Sequence, residues 1–251
     1  MKPIILFEDK HIIVCHKEAG IAVQSARLGQ KDMESILNTY LMEKGENVRV
    51  EAVHRLDQPV EGIIVFAKTK KAASELGKQL HQNTMHKVYR AVCCIRKQDW
   101  KNGMEHERIS GEAEPVYILQ DYLVKNGKTN TSSVTGAQTK GAKKAELSFR
   151  VIEESDDKRY MLVEIFLKTG RHHQIRVQMS HAGLPLYGDQ KYHEEWKEYL
   201  KEEDQERRTA ALGLCAASLE FMHPANGKKM HFKVEPKAEV FKMQSQNKKG
   251  T

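Results

Sequence analysis

The residues best suited to chemistry in this 251-residue chain lie in one short stretch, His54-Arg55-Leu56-Asp57-Gln58-Pro59-Val60-Glu61-Gly62. Asp57 offers a carboxylate, with the Arg55 guanidinium two residues before it. The following run, Gly62 to Ala67, is too short for a lone helix and rich in β-branched residues, so it reads as a buried strand. Pro59 and Gly62 mark irregular backbone just ahead of it. Asp57 therefore sits on a loop entering a core strand. A carboxylate held on a rigid sheet beside a cation suits a nucleophile or a general base. The same residues also suit an Asp that does no more than cap a turn, and local physics leaves both readings open.

A second group lies at Arg171, His172, His173 and Arg176. From His173 onward, Ile175, Met179 and Ala182 fall on one helical face, and Gly183 stops the helix. The first turn of that helix thus carries several cations beside unpaired backbone donors, a combination that suits an anion. The histidines of this half, His172, His173, His181 and His193, follow no zinc-ligand spacing, so no metal is expected.

The elements that must position these groups read as follows. Ile4–Phe7 and His11–His16 form two short strands joined at Asp9-Lys10. Asp32 caps a helix to about Lys44, with Met33, Ile36, Leu37, Tyr40 and Leu41 on its apolar face. After the Asp57 loop and its strand, Thr69 caps a second helix that turns Ala73, Leu76 and Leu80 inward and Lys70, Lys71 and Lys78 outward. Residues 87–95 and 116–119 are strands. Residues 125–144 are poor in apolar side chains and contain five lysines without one acid. They read as a flexible hairpin tip able to meet phosphates. Residues 146–152 and 161–168 pair around a polar turn, and 193–208 form a charged helix docked by Trp196, Tyr199 and Leu200. Residues 212–221 and 229–234 close the sheet. One domain, 1–242, precedes a polar tail, 243–251.

Composition sets broad limits. Lys plus Arg number 41 against 34 Asp plus Glu, a formal net charge of +7. A basic balance favours a polyanionic partner. Four cysteines without a CxxC pair argue against both a disulfide framework and a zinc site. No apolar run approaches the ~20 residues needed to cross a bilayer, and the N-terminus lacks a signal-peptide pattern. A cytoplasmic protein is expected.

Four blocks, in order, resemble the RluA-type pseudouridine synthases. They are His54-Arg55-Leu56-Asp57 with Gly62 and the strand to Lys68; Lys87-Val88-Tyr89-Arg90-Ala91-Val92; Thr169 to Val177 with Gly183-Leu184-Pro185-Leu186 and Gly188-Asp189; and Leu219 to Pro224. The resemblance implies an α+β fold with a mixed, mostly antiparallel central sheet flanked by helices and a catalytic cleft across the sheet. A single catalytic domain is expected, without the N-terminal RNA-binding module that many relatives carry. It implies isomerisation of a specific uridine to pseudouridine in ribosomal or transfer RNA, by a flipped base and an essential Asp, with no cofactor and no membrane partner, in a monomer. By resemblance Asp57 is the catalytic carboxylate and Arg176 its ionic partner, Tyr89 packs on the target base, and Arg55 holds the opened RNA. An inactive RNA-binding protein or RNA chaperone using the same cleft is the alternative. Three positions depart from the family pattern: Glu18-Ala19 within the usual Lys-Pro-x-Gly turn, Val60-Glu61 where Thr-Ser is common, and His193 where Gly is usual.

Overall fold

The computed structural model describes residues 2–25, 29–96, 100–102, 104–107, 115–194 and 210–242. The charged helix expected over 193–208 falls, from residue 195, outside the described residues, as does the tail 243–251. The chain divides into two compact units. Unit 1 is Met1–Val88 with Cys215–Pro236, and unit 2 is Tyr89–Leu214 with Lys237–Thr251.

Unit 1 is built on β1 (Ile4–Glu8), β2 (Ile12–Lys17), β3 (Glu51–Ala52), β4 (Glu61–Ala67), β11 (Leu214–Met222, from Cys215 on) and β12 (Lys229–Lys233), with helices α1 (Met33–Glu43) and α2 (Lys70–His81). The strand order is β1-β2-β4-β11, with β3 on β4 and β12 on β11. Every described pair is antiparallel except β4 with β11, where Glu61 faces Cys215 and Gly62 faces Ala216. All seven residues of β4 are buried, as expected of a central strand whose last six residues, Gly62–Ala67, form an apolar run. On one face Ile12, Val14, Ile63, Val65 and Ala67 pack with Leu219 and Phe221 under Ala72 and Leu76 of α2. Burying Leu76 completely contributes about 2–3 kcal/mol. Ile13, Cys15, Ile64 and Phe66, which alternate to the other face, are equally buried. Both helix starts follow the sequence. Asp32 accepts from the Ser35 amide in a capping box, and Thr69 accepts from the Ala72 amide.

Unit 2 contains β5 (His86–Cys94, from Tyr89 on), β6 (His106–Glu107), β7 (Val116–Asn126), β8 (Thr131–Thr135), β9 (Lys143–Glu154), β10 (Tyr160–Leu167) and α3 (Gln174–His181). Its ladder runs β10-β9-β7-β6, with β8 on β7, all antiparallel. The flexible stretch expected over 125–144 is partly ladder. Strand β7 continues to Asn126, β8 returns along it, and β9 starts at Lys143. The reason lies in side chains that composition hides. Leu123, Ala145 and Val177 form a small apolar cluster against Val134 and Tyr192, which fixes the hairpin to α3. Gln178 adds a polar anchor, its side-chain amide donating to the Asp121 carboxylate at 2.8 Å. The two-residue strands β3 and β6 carry no sequence signal of their own.

Two measurements on unit 1 follow. Gly62 has φ +125°, and a Cβ there would lie 2.4 Å from the carbonyl oxygen and 2.5 Å from the nitrogen of Ala216. Gly62→Ala must separate β4 from β11, and urea denaturation should show a loss of roughly 3 kcal/mol or more. His54 is buried, and its Nε2 accepts from the Val65 amide at 3.3 Å. Burial, reinforced by the Lys87 charge, pushes its pKa down from 6.5 to about 3. The neutral ring thus stabilises the fold above pH 6.5, and that stability is lost as pH falls toward 3. The slope from this ring approaches about 1.4 kcal/mol per pH unit. His54→Gln should flatten that part of the stability profile.

Candidate active site

Asp57 opens a tight turn in unit 1. The Val60 amide donates to the Asp57 carbonyl at 3.0 Å, and β4 starts one residue later. The turn is fastened at its second residue. The Gln58 carbonyl accepts from the Gly20 amide at 2.8 Å, and the Gln58 side chain donates back to the Gly20 carbonyl at 2.9 Å. A third fastening comes from Lys17, the last residue of β2 and fully buried. Its Nζ donates to the carbonyls of Glu18, Ile21 and Gln58 at 3.1, 2.7 and 3.1 Å. All three N–H groups of the ammonium are used. Burial pushes the Lys17 pKa down from 10.5 to about 8, against the opposing fields of Asp57 and Glu61.

Asp57 itself is half-buried, between the buried Leu56 and the exposed Gln58. It is neither solvated nor sunk in the apolar core. A carboxylate in this setting has its backbone fixed and a cation nearby, so it can act without first reorganising. Arg55, on the same segment, is exposed, as a residue that grips a polyanion must be. His54 is a different matter. Held neutral as the acceptor of a strand amide, it serves the fold, not acid–base chemistry near pH 7.

The remaining residues singled out by sequence lie in unit 2. Tyr89 is buried on β5, with 6% of its surface exposed. Arg176 is buried on α3, and its guanidinium forks onto Asp189. Nε donates to Oδ2 and Nη2 to Oδ1, each at 2.8 Å. Asp189 is almost wholly buried and its Oδ1 also accepts the amides of Lys191 and Tyr192 at 2.9 and 3.2 Å. The guanidinium carbon lies 5.1 Å from the centre of the Tyr192 ring. The Tyr192 hydroxyl meets His173 Nδ1 at 2.6 Å and accepts the Ser132 amide at 2.8 Å. Arg176 is therefore held by the Asp189 carboxylate and the Tyr192 ring, and β8 in turn holds Tyr192. Within its own unit, the carboxylate on Arg176 is that of Asp189.

The anion reading of the α3 first turn needs revision. His173 caps the helix in the left-handed region, φ 54°, and is buried. The Gln174 side-chain oxygen takes up the Arg171 amide at 2.9 Å and the Thr169 hydroxyl at 2.8 Å. Arg171 stays exposed, with its Nε donating to the Lys144 carbonyl at 2.9 Å. His172 stacks on His173 at 3.7 Å and bonds Ser132 and Asn130. The turn is mainly a joint between α3 and the β7–β8 hairpin. Helical periodicity could not show this, because the partners come from residues 130–132 and 192.

The sequence motifs assign no role to Lys17 or to Asp189. A lysine ending an otherwise apolar strand, just before a glycine turn, is a usable signal for the first. The second stands in the third family-like block beside Gly188, with nothing to mark it as the partner of Arg176. Gly188 has φ +72° and no room for a Cβ beside the Ala211 carbonyl at 2.5 Å.

The model of the RNA pseudouridylate synthase family matches residues 11–181 of this chain. An uncharacterized RNA pseudouridine synthase of Bacillus subtilis is 34% identical over 189 residues, or 75% of this chain and 57% of the relative. A ribosomal large subunit pseudouridine synthase C of Haemophilus influenzae is 33% identical over 236 residues, 91% of this chain and 63% of the relative. A tRNA pseudouridine synthase C of Vibrio cholerae is 28% identical over 229 residues, 88% of this chain and 85% of the relative. The chain thus spans less than two thirds of the length of the first two. Among solved structures, human RNA pseudouridylate synthase domain containing 4 superposes with a TM-score of 0.70 at 21% identity, covering 97% of this chain and 92% of the other, which shows the shared fold. The family match takes in the Asp57 turn, β5 with Tyr89 and α3 with Arg176, and the chain belongs to the RNA pseudouridylate synthase family.

Proposed function

We propose that the protein converts a uridine in ribosomal or transfer RNA to pseudouridine, with Asp57 as the acting carboxylate. The observation that carries the reading is the Asp57 turn. It is a half-buried carboxylate fixed by its own turn, by Gly20 and by Lys17, at the place where the family motif has its carboxylate. In the reaction the bond from the ribose to uracil nitrogen breaks, the base turns, and a bond from the ribose to ring carbon forms, with that carbon's proton lost and a proton taken up by the freed nitrogen. Electrons balance within the substrate, so neither a redox cofactor nor a nucleotide is consumed. The base must leave its stack, which costs a few kcal/mol. Arg55 holds the opened strand, and Tyr89 and Arg176 serve the bound uracil. The relatives named for ribosomal and for transfer RNA support these two substrate classes. We take 1–242 as one catalytic domain, working as a cytoplasmic monomer. No helix among the described residues is long and apolar enough to cross a membrane.

Asp57→Asn keeps the side chain's size and removes its charge. It should cut pseudouridine formation more than about 100-fold while leaving RNA affinity within about three-fold, since binding rests mainly on phosphate contacts. The test is to map pseudouridine in total RNA from cells with and without the protein, then assay the altered site with both enzymes. An Asp57→Asn variant as fast as wild type sinks the mechanism. A wild type that leaves every cellular uridine unchanged favours an RNA-binding role instead. The net charge of +7 gives a second check. If four phosphates are engaged, log Kd should rise with log salt with a slope of about 3, and a flat response would exclude binding through the RNA backbone.

A further inference from the structure

The positive charge of the chain is unevenly spread. Five lysines and no acid lie in 125–144, against a net charge of +7 for the whole sequence. In the structure these residues frame the β7–β8 hairpin of unit 2. Lys143 pairs with Leu123 across the ladder, and Lys125 follows Leu123 by two residues. Both lysines therefore share the face on which Leu123 meets Val177 of α3. Lys125 pairs in turn with Ser132, whose hydroxyl lies 2.9 Å from His172 Nδ1. The neighbour of that histidine, Arg171, reaches β9 from the turn before α3, its Nε donating to the Lys144 carbonyl at 2.9 Å. Lys125, Lys143 and Arg171 are all exposed. Among the described residues none of the three is paired with a carboxylate. The carboxylates on this part of the ladder are already engaged. Glu146 holds Lys144 and Lys168, and Asp121 holds Gln178 and His181.

Like charges gathered without acids repel one another, and a counter-charge from outside removes that cost. The geometry favours phosphate as the counter-charge. Fixing Nε on a carbonyl sets the plane of the Arg171 guanidinium and leaves its two Nη groups as a fork, the shape that takes two oxygens of one phosphate. Lys125 and Lys143 stand on ladder strands, so their main chain needs no ordering when a partner binds. The hairpin is also tied to the helix that carries Arg176, by the Leu123–Val177 packing and by the bond from Gln178 to Asp121. We propose that Lys125, Lys143 and Arg171 form a grip for the RNA backbone in unit 2. It takes neighbouring phosphates whatever their bases, and so fixes the register of the strand against α3. Phosphate contacts of this kind position a nucleic acid without reading its sequence. The inference rests on the reading of RNA as the substrate and adds the surface that holds it.

The test combines Lys125→Gln, Lys143→Gln and Arg171→Gln in one variant. A second variant, with Lys70→Gln, Lys71→Gln and Lys233→Gln, removes the same charge from exposed positions of unit 1. Binding of a labelled RNA stem-loop of arbitrary sequence is followed by fluorescence anisotropy from about 50 to 200 mM salt. The first variant should bind about 10-fold or more weakly, and its slope of log Kd against log salt should fall by about 2. Arg171→Lys alone keeps the charge and loses the fork, so it should keep the slope while weakening affinity. On the mapped target RNA, the first variant should need more RNA for half-maximal single-turnover rate, with the rate at saturation near wild type. A merely structural defect would lower the saturated rate and the melting temperature together, and that result overturns the proposal. An unchanged slope in the first variant overturns it, and so does an equal loss in the second. If the first variant loses binding to polyglutamate but not to RNA, the face serves an acidic protein and the proposal falls. Should the wild type form no pseudouridine in any RNA, the proposed activity fails, yet the slopes still decide the grip.

Discussion

A single buried ammonium organises the candidate active site. Lys17 has no exposed surface and spends each of its donors on a main-chain carbonyl. A buried ammonium needs an acceptor for every donor, since an unpaired buried charge costs far more than one hydrogen bond returns. That requirement draws the turn after β2 and the turn before β4 onto one point. The Asp57 carboxylate is carried on the second of these turns. The place of its backbone is thus set by main-chain bonds and one cation.

The same strand edge explains why Gly62 cannot be replaced without loss. Here β4 changes from a turn to a strand and meets β11 in the parallel pair of unit 1, so close that no Cβ fits. The close approach and the turn are two aspects of one constraint. The chain must leave the Asp57 turn with positive φ to enter the ladder in register. His54, a few residues earlier, closes the accounting for β4 by taking the Val65 amide with a neutral ring. A motif that reads as a row of chemical groups divides by burial. His54 and Leu56 belong to the core, Arg55 is left to solvent, and Asp57 lies between.

Unit 2 fixes its arginine differently. Arg176 is held by a two-pronged ion pair with Asp189, and that carboxylate also takes two amides from its own loop. Breaking such a pair leaves a buried charge unpaired, at a cost of about 3–5 kcal/mol. Tyr192 extends the link to His173 and to β8, so the hairpin, the helix and the Gly188 loop are tied together. The two units reach the same end, a polar group held still, by opposite means. Unit 1 uses a lysine on neutral carbonyls, and unit 2 an arginine on a carboxylate.

Much of this was determined by sequence alone. The central strand was legible in its apolar run, α1 and α2 in their caps and spacing, and Asp57, Arg55, Tyr89 and Arg176 in ordered motifs that local rules can place on a loop, a strand or a helix. Those features depend on neighbours within a few residues, which is the range over which periodicity and capping operate. What lay beyond that range was decided by tertiary structure. The lysine-rich stretch looks like a loop because its composition is polar, yet Leu123, Val134 and Ala145 give it a packed face once β7, β8 and β9 align. Lys17 gained its role from Gln58, forty-one positions away, and Arg176 its carboxylate from Asp189, thirteen positions away. Burial turns these polar side chains from surface options into obligations, and no local pattern states which distant carbonyl or carboxylate will meet them.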